Sequence, residues 1–384
     1  MCHEPVTRLP VYLETILLNT YQMVYIMWFI LGFAIIRLLV ALVNYFSDYH
    51  PKSNGLQSEP LLSVLIPARN EEQNIGTILD DLLVQDYRNI EVLVYDDLSD
   101  DKTAAIVKAK SESDSRIKYF YGKTLPEGWN GKNHACHRLS AEAQGDYMLF
   151  VDADVRIGNG LFKNTLSMAK KHRLQLLSIF PKQEMKTFGE KLTVPVMNWI
   201  LTSLLPLPLV LHSKKPSLAA ANGQFMLFEK QHYDHHQWHR HFKSEKVEDI
   251  AIMKAIKSKG FLGQTILGDQ SIRCRMYSGY REAIDGFSKN VNAYFGNNYL
   301  FTTVFLLLTT FGFVPFLISA EYKLLGLYLA AAILIRVFTS LSGKQSVIRN
   351  VWMAPLQQLS FAGMVVASIT KTLKKSHTWK GRKV

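Results

Sequence analysis

Tyr147-Met148-Leu149-Phe150-Val151-Asp152-Ala153-Asp154 is the stretch on which the fold turns. Five apolar or aromatic residues in a row, with Gly145-Asp146 in front and an acidic turn behind, form a short strand covered on both faces. Two carboxylates then follow the strand end at i and i+2. Three earlier runs have the same form. Residues 61–66 lead into Pro67-Ala68-Arg69-Asn70-Glu71-Glu72, 90–95 into Asp96-Asp97, and 117–121 into a glycine turn. Helical patterns follow these four runs over 75–85, 102–111, 134–143 and 161–172. The alternation predicts an α/β domain with a mainly parallel sheet, whose ligands gather at the carboxyl ends of the strands.

The flanks are of another kind. Residues 23–43 are apolar apart from Arg37, long enough at about 1.5 Å per residue to cross a ~30 Å hydrocarbon layer. A span over 16–36 would instead let Arg37 snorkel to the interface. Residues 299–320 and 324–341 read as a hairpin of spans. Residues 351–369, interrupted by Pro355, Gln357 and Gln358, read as re-entrant or interface-lying. The uncharged stretch 192–211 contains Pro195, Pro206 and Pro208. These argue against a straight span, leaving a segment lying in the membrane interface or a buried core segment. The expected organisation is a membrane anchor over 1–57, a sheet domain over 58–290 with the interfacial segment near 192–211, and membrane segments with a basic tail over 291–384.

Charge supports this division. The formal net charge is +12, and after Asn298 ten basic residues face the single acid Glu321, so most of the excess sits in the last 86 residues. A nucleic-acid binder would carry its basic residues across the folded surface. Gathered beside apolar segments, they mark the cytoplasmic side of a membrane protein instead. The expected location is the cell membrane, multi-pass, with the sheet domain facing the cytoplasm. Three cysteines, Cys2, Cys136 and Cys274, offer no disulfide framework and no zinc spacing.

The chemistry collects at the strand ends. Asp152 and Asp154 can hold a hard divalent ion that bridges diphosphate oxygens. Together with Asp96-Asp97 they crowd negative charge along one sheet edge, which calls for a positive partner. Glu248-Asp249 opens a helical pattern. Acids in a first turn are favourable on their own account, and a carboxylate there can equally deprotonate an acceptor hydroxyl. Lys132 precedes the helix at 134–143 and reads as a solvated loop lysine or a phosphate contact. His232, His235, His236, His239 and His241 include two i,i+4 pairs, yet no Cys or well-spaced acid completes a metal site. A polar loop near the acceptor is the stronger reading.

In this order, Ile66-Pro67-Ala68-Arg69-Asn70-Glu71-Glu72, Asp96-Asp97-x-Ser99, Gly131-Lys132, Gly145-Asp146-Tyr147-x-x-Phe150-x-Asp152-x-Asp154 and Glu248-Asp249 resemble family 2 glycosyltransferases over roughly 60–290. Gly131-Lys132-Asn133-His134-Ala135-Cys136, Arg275-Met276-Tyr277, Gly286-Phe287-Ser288-Lys289 and Trp379-Lys380-Gly381-Arg382 are similar to the membrane enzymes that glycosylate carotenoids, of the diaponeurosporenoate and chlorobactene type. The resemblance implies a GT-A fold, a nucleotide sugar as donor, and Mg2+ or Mn2+. It implies that Ala68 and Glu71 border the nucleoside and that Asp97 meets the base or ribose. Asp152 and Asp154 would serve the ribose and the metal, Lys132 the diphosphate, and Asp249, next to Glu248, would be the inverting base. Lys380 or Arg382 would reach the diphosphate if the tail returns to the domain. Leu98 departs from the glycine common after Asp-Asp. The Gln/Arg-x-x-Arg-Trp helix of processive synthases is missing, which favours one transfer per acceptor. A carotenoid or other hydrophobic lipid is the acceptor expected, a hopanoid an alternative, and a non-catalytic nucleotide-sugar-binding partner a third reading.

Overall fold

The computed structural model describes residues 11–52, 55, 58–374, 378–379 and 382–383, with side chains placed from Tyr21 to Lys374. The four runs become β1 (Leu62–Ala68), β2 (Ile90–Asp96), β3 (Ile117–Tyr121) and β4 (Tyr147–Val151). Next come β5 (Val155–Ile157), β6 (Leu176–Phe180), β7 (Lys182–Gln183), β8 (Phe225–Glu229), β9 (Gly263–Leu267) and β10 (Ile272–Cys274). Seven strands form one sheet in the order β3-β2-β1-β4-β8-β6-β9, with β8 antiparallel to both its neighbours and every other pair parallel. A smaller sheet, β5-β10-β7, leans on its carboxyl side.

Alternation along the strands sorts residues onto two faces. Val64, Ile66, Val92 and Val94 join the core under the helices Ile75–Leu83 and Leu161–His172. Leu65, Leu93 and Tyr95 join the core under Gly131–Glu142 and Glu248–Ser258. Burial on both faces is why these strands read as unbroken apolar runs.

Among the described residues two helices are long and apolar enough to cross a membrane. One is the Tyr21–Ser47 part of the helix Val11–Ser47, and the other is Tyr322–Ser342. They pack against each other and expose Tyr25, Phe29 and Ile36 on one and Leu327 and Ile333 on the other. The expected span over 299–320 is instead broken into Tyr299–Phe311 and Val314–Ile318, with Pro315 opening the second piece. Thirteen residues reach only about 20 Å. Within 351–369 one helix ends at Trp352 and a second, Ala354–Leu373, begins after a break at Met353 and runs on continuously.

The stretch 192–211 takes the buried-core alternative rather than lying exposed at an interface. Its helix, Phe188–Leu204, is packed by Val11–Ser47, Tyr322–Ser342, Ala354–Leu373 and Tyr280–Asn290. Pro195 sits inside it and has no N–H for the Lys191 carbonyl four residues earlier. Gln357 Nε2 donates to that carbonyl at 3.0 Å, which explains the inward turn of a glutamine in an apolar segment. At the other end Asn44 Nδ2 donates to the Thr202 and Leu205 carbonyls, both at 2.8 Å.

Arg37 does not snorkel; it is 5% exposed and turns inward. Its Cζ lies 4.6 Å from the Trp199 ring centroid, and that of Arg336 lies 4.1 Å from it. Arg37 Nη2 donates to Ser203 Oγ at 2.8 Å and Arg336 Nη1 to Gln357 Oε1 at 3.0 Å. Among the described residues neither forms an ion pair. The indole and neutral acceptors hold both guanidiniums.

Candidate active site

The site is built where β1, β2 and β4 end and β8 begins. After β4, Asp152 meets Lys132, whose Nζ stands 2.8 Å from Asp152 Oδ1 and 3.6 Å from Glu248 Oε1. The same ammonium donates to the Gly223 carbonyl at 3.2 Å. Lys132 belongs to the first turn of Gly131–Glu142, where the Asn130 side chain caps its N–H at 3.0 Å. It is therefore not a solvated loop lysine. Burial works against its charge, but Asp152 and Glu248 outweigh that and hold its pKa well above the ordinary lysine value.

Asp249 goes beyond a first-turn acid. Its Oδ1 accepts from its own helix at Ile250 N, 2.7 Å, while Oδ2 leaves the helix to accept from Gly223 N at 2.8 Å. Gly223 thus joins the base candidate to the lysine. A methyl on it would lie 2.9 Å from Lys132 Nζ and 3.2 Å from Glu248 Oε1, so it would push those two side-chain tips aside. Burial raises the Asp249 carboxyl above its usual range. Burial, with Asp249 and Asp152 adding and Lys132 opposing, lifts Glu248 to about 7.

Asp154 lies beside the Gln224 amide, which donates to its carboxylate at 3.4 Å and to Cys274 Sγ at 2.9 Å. Burial, with Asp152 and Glu71 adding, lifts Asp154 to about 7. Gln224 is 4% exposed and its carbonyl oxygen is buried without a partner. An oxygen-rich, over-negative corner with an unsatisfied carbonyl fits a hard divalent cation. Among the described residues no three His, Cys, Asp or Glu side chains converge on one point, so substrate oxygens would have to complete its shell.

At the first two strand ends, Asp97 N donates to Ala68 O at 2.8 Å, and Arg69 Nη1 to Asp97 O at 2.5 Å. Glu71 accepts from Asn74 Nδ2 at 2.9 Å. Ala68 and Asp97 are both buried. Asp96 is turned to structure, accepting from Ser99 N and the Tyr119 hydroxyl. Leu98 adopts φ +56°, so it makes the left-handed turn that a glycine would make more cheaply, at about 1–2 kcal/mol.

A pocket of about 130 Å³ opens from Asp249. Asn222, Tyr277 and Tyr294 line its polar end, and Val194, Met197, Leu201 and Phe287 its apolar wall. None of the five clustered histidines lines it. They lie on the helices Lys230–His236 and Trp238–His241 rather than in a loop. His236 stacks on Trp238, and His239, bonded to the Tyr233 hydroxyl at 2.6 Å, is held neutral by burial at about 3. Cys136 is a packed apolar residue whose thiol burial pushes up. Lys380 lies outside the described residues, as does the side chain of Arg382.

Gly223, Gln224 and Tyr294 carry no site signal in the sequence reading, and Cys274 enters it only as a cysteine without a disulfide or zinc pattern. Asn222-Gly223 ahead of an apolar run is a turn signal that could have flagged the first two. The raised carboxyls have a measurable consequence. Asp154 and Glu248 hold their protons more tightly folded than unfolded. That stabilisation is full below their ordinary values of 3.8 and 4.5 and lost as the pH rises through about 7. The melting temperature of the metal-free protein is expected to fall across that window, and Mn2+ with a nucleoside diphosphate to flatten the fall. A melting temperature that climbs over the same range would refute it.

The fold is GT-A-like, with acids along the carboxyl edge of its sheet. Residues 63–236 match the family described as Glycosyl transferase family 2. It is 28% identical over 251 residues to the 4,4'-diaponeurosporenoate glycosyltransferase of Staphylococcus haemolyticus (strain JCSC1435), covering 65% of each chain. It is 31% identical over 111 residues to the GalNAc(5)-diNAcBac-PP-undecaprenol beta-1,3-glucosyltransferase of Campylobacter jejuni, 29% of this chain and 35% of that one. The mannosyltransferase PcManGT from Pyrobaculum calidifontis, solved with GDP-Man and Mn2+, superposes with a TM-score of 0.50 at 15% identity. It covers 91% of this chain and all of that one, a likeness of fold.

Proposed function

We propose that the chain is a membrane-bound, inverting glycosyltransferase that moves one sugar from a nucleotide sugar of the UDP-glucose type to a hydrophobic acceptor such as a carotenoid. The observation that carries this is the pocket running from Asp249 to an apolar wall made by Phe188–Leu204 and Tyr280–Asn290. Soluble and insoluble substrates could meet there. Support also comes from the diaponeurosporenoate relatives, of which the aligned part is just under two thirds of their length.

In this reading Ala68, Glu71 and Asp97 border the nucleoside, and Asp152 and Lys132 face the ribose and diphosphate. Asp154, with the Gln224 carbonyl at hand, would hold Mg2+ or Mn2+, a hard cation that would supply positive charge beside the diphosphate. Asp249 takes the proton of the acceptor hydroxyl as that oxygen bonds to the anomeric carbon. The bond from this carbon to the diphosphate oxygen breaks, and its electron pair leaves with the nucleotide. Glu248 keeps Lys132 near Asp249. The two long apolar helices anchor the chain in the cell membrane, multi-pass in this reading. The basic residues after Asn298 keep the sheet domain on the cytoplasmic side.

The test incubates the full chain in lipid nanodiscs with UDP-glucose or GDP-mannose, Mn2+ and extracted carotenoids or hopanoids. Sugar entering the organic phase, matched mole for mole by nucleoside diphosphate, is the expected result. Nucleotide binding without any release would overturn the reading in favour of a non-catalytic partner.

A further inference from the structure

The helices Val347–Trp352 and Ala354–Leu373 place apolar residues outward and amides inward. Ile348 and Trp352 are each 85% exposed, and Leu356 and Leu359 are exposed as well. Spaced by four, four and three residues, they follow the period of one helical face. Polar residues of the same helices turn inside instead. Buried Asn350 donates through Nδ2 to Ser340 Oγ at 3.0 Å and to Gln345 Oε1 at 2.9 Å. Buried Gln358 donates through Nε2 to the Thr309 and Thr310 hydroxyls at 2.8 and 2.9 Å.

Mean hydropathy misses this segment because the inward amides and hydroxyls dilute it. The surrounding phase meets only the outer stripe, and that stripe is apolar. The helices in contact with it wear the same skin. Tyr322–Ser342 exposes Leu327 and Ile333, and Tyr299–Phe311 exposes Leu300 and Leu307. A second copy of the chain would cover one patch, whereas apolar surface on each neighbouring helix calls for a solvent. Position agrees. The Ser342 carbonyl is bonded by a ring nitrogen of His50 at 3.1 Å, just beyond the end of Val11–Ser47. Val347–Trp352 therefore starts where both long apolar helices meet the sheet domain. That is the level of a bilayer's headgroups, where an indole is favoured and where exposed Lys344 would meet anionic lipid.

Resting on the reading that the chain is membrane-bound, we propose that Ile348, Trp352, Leu356 and Leu359 form a further lipid-contacting face. It lies at the headgroup boundary of an anionic bilayer, on the side of the sheet domain. The face bears on the pocket as well. Gln345 lines that pocket, and its amide oxygen is held by Asn350 from within the lipid-facing helix. One helix thus rests on the bilayer and fixes part of the wall of the cavity that opens from Asp249, so that wall stands at the lipid surface.

The experiment places the full chain in nanodiscs of phosphatidylcholine and phosphatidylglycerol, with acyl chains either plain or brominated near the headgroup. Bromine quenches an indole only at close range, so wild-type fluorescence minus that of Trp352→Phe isolates what Trp352 touches. Trp28, 58% exposed on the Tyr21–Ser47 span, supplies the reference through Trp28→Phe. Both difference signals are expected to lose most of their intensity in the brominated discs. Both residues are exposed, so the two variants should keep the wild-type melting temperature. Loss of the Trp28 signal with the Trp352 signal intact overturns the further contact and leaves the membrane reading standing. Persistence of both signals overturns the contact and the membrane reading together. Trp352→Cys chains that cross-link in pairs on oxidation, where wild type does not, assign the face to a second copy and overturn the proposal.

Discussion

Asp249→Asn is expected to lower sugar transfer by about 10²–10⁴-fold, the range general-base catalysis supplies. The substitution keeps size and shape, and the amide oxygen can still accept from Gly223 N, which now bonds Asp249 Oδ2 at 2.8 Å. What it loses is the ability to take a proton, together with the bond that Asp249 Oδ1 accepts from Ile250 N, since an amide nitrogen cannot accept. The signature is a fall in kcat with little change in the KM for the donor. Buried as it is, the carboxyl titrates above its usual range, so wild-type activity should rise with pH through its ionisation. The residual activity of Asp249→Asn should lack that limb. A variant that keeps both its rate and its pH profile would remove Asp249 from the role of base and leave Glu248 as the remaining candidate. Gly223→Ala tests the same arrangement from the other side, because its methyl would press on Lys132 and Glu248.

Trp199→Ala is expected to be the most destabilising single change, at about 3–5 kcal/mol for the lost ring alone. Trp199 is 5% exposed and touches Phe305 and Phe361 as well as both guanidiniums. Removing it leaves Arg37 and Arg336 buried with fewer partners and their mutual repulsion unshielded. The apparent melting temperature in detergent should drop by on the order of 10 °C. Trp199→Phe, which keeps a ring, should recover much of the loss. A drop of only a degree or two for the alanine variant would show that the stacking contributes little.

The first half of the sheet domain was legible because each strand is a short apolar run closed by turn residues, and those turns carry the acids. Ile117–Tyr121 and Leu161–His172 fall where the pattern puts them. Legibility fails after Phe180. Hydropathy cannot tell a helix buried in protein from one buried in lipid, so Phe188–Leu204 could be read either way. What decides its place, the Gln357 amide on the Lys191 carbonyl, comes from 166 residues further along. The candidate site divides in the same manner. Acids at strand ends announce themselves through composition and position. Gly223 matters only for what stands beside it, and no local pattern encodes that. The pocket is harder still, since its wall is assembled from segments before and after the candidate base.

The freed carbonyl at Lys191 has a practical consequence. A tempting experiment is to excise the sheet domain, ending near Asn290, for soluble expression. Such a fragment would keep Pro195 but lose Gln357, and it would keep Trp199 but lose Arg336, Phe305 and Phe361. An apolar helix that starts only a few residues after β7 would then face water. The smallest piece expected to behave as an enzyme is therefore the chain with its C-terminal helices attached, purified in a detergent or bilayer mimic.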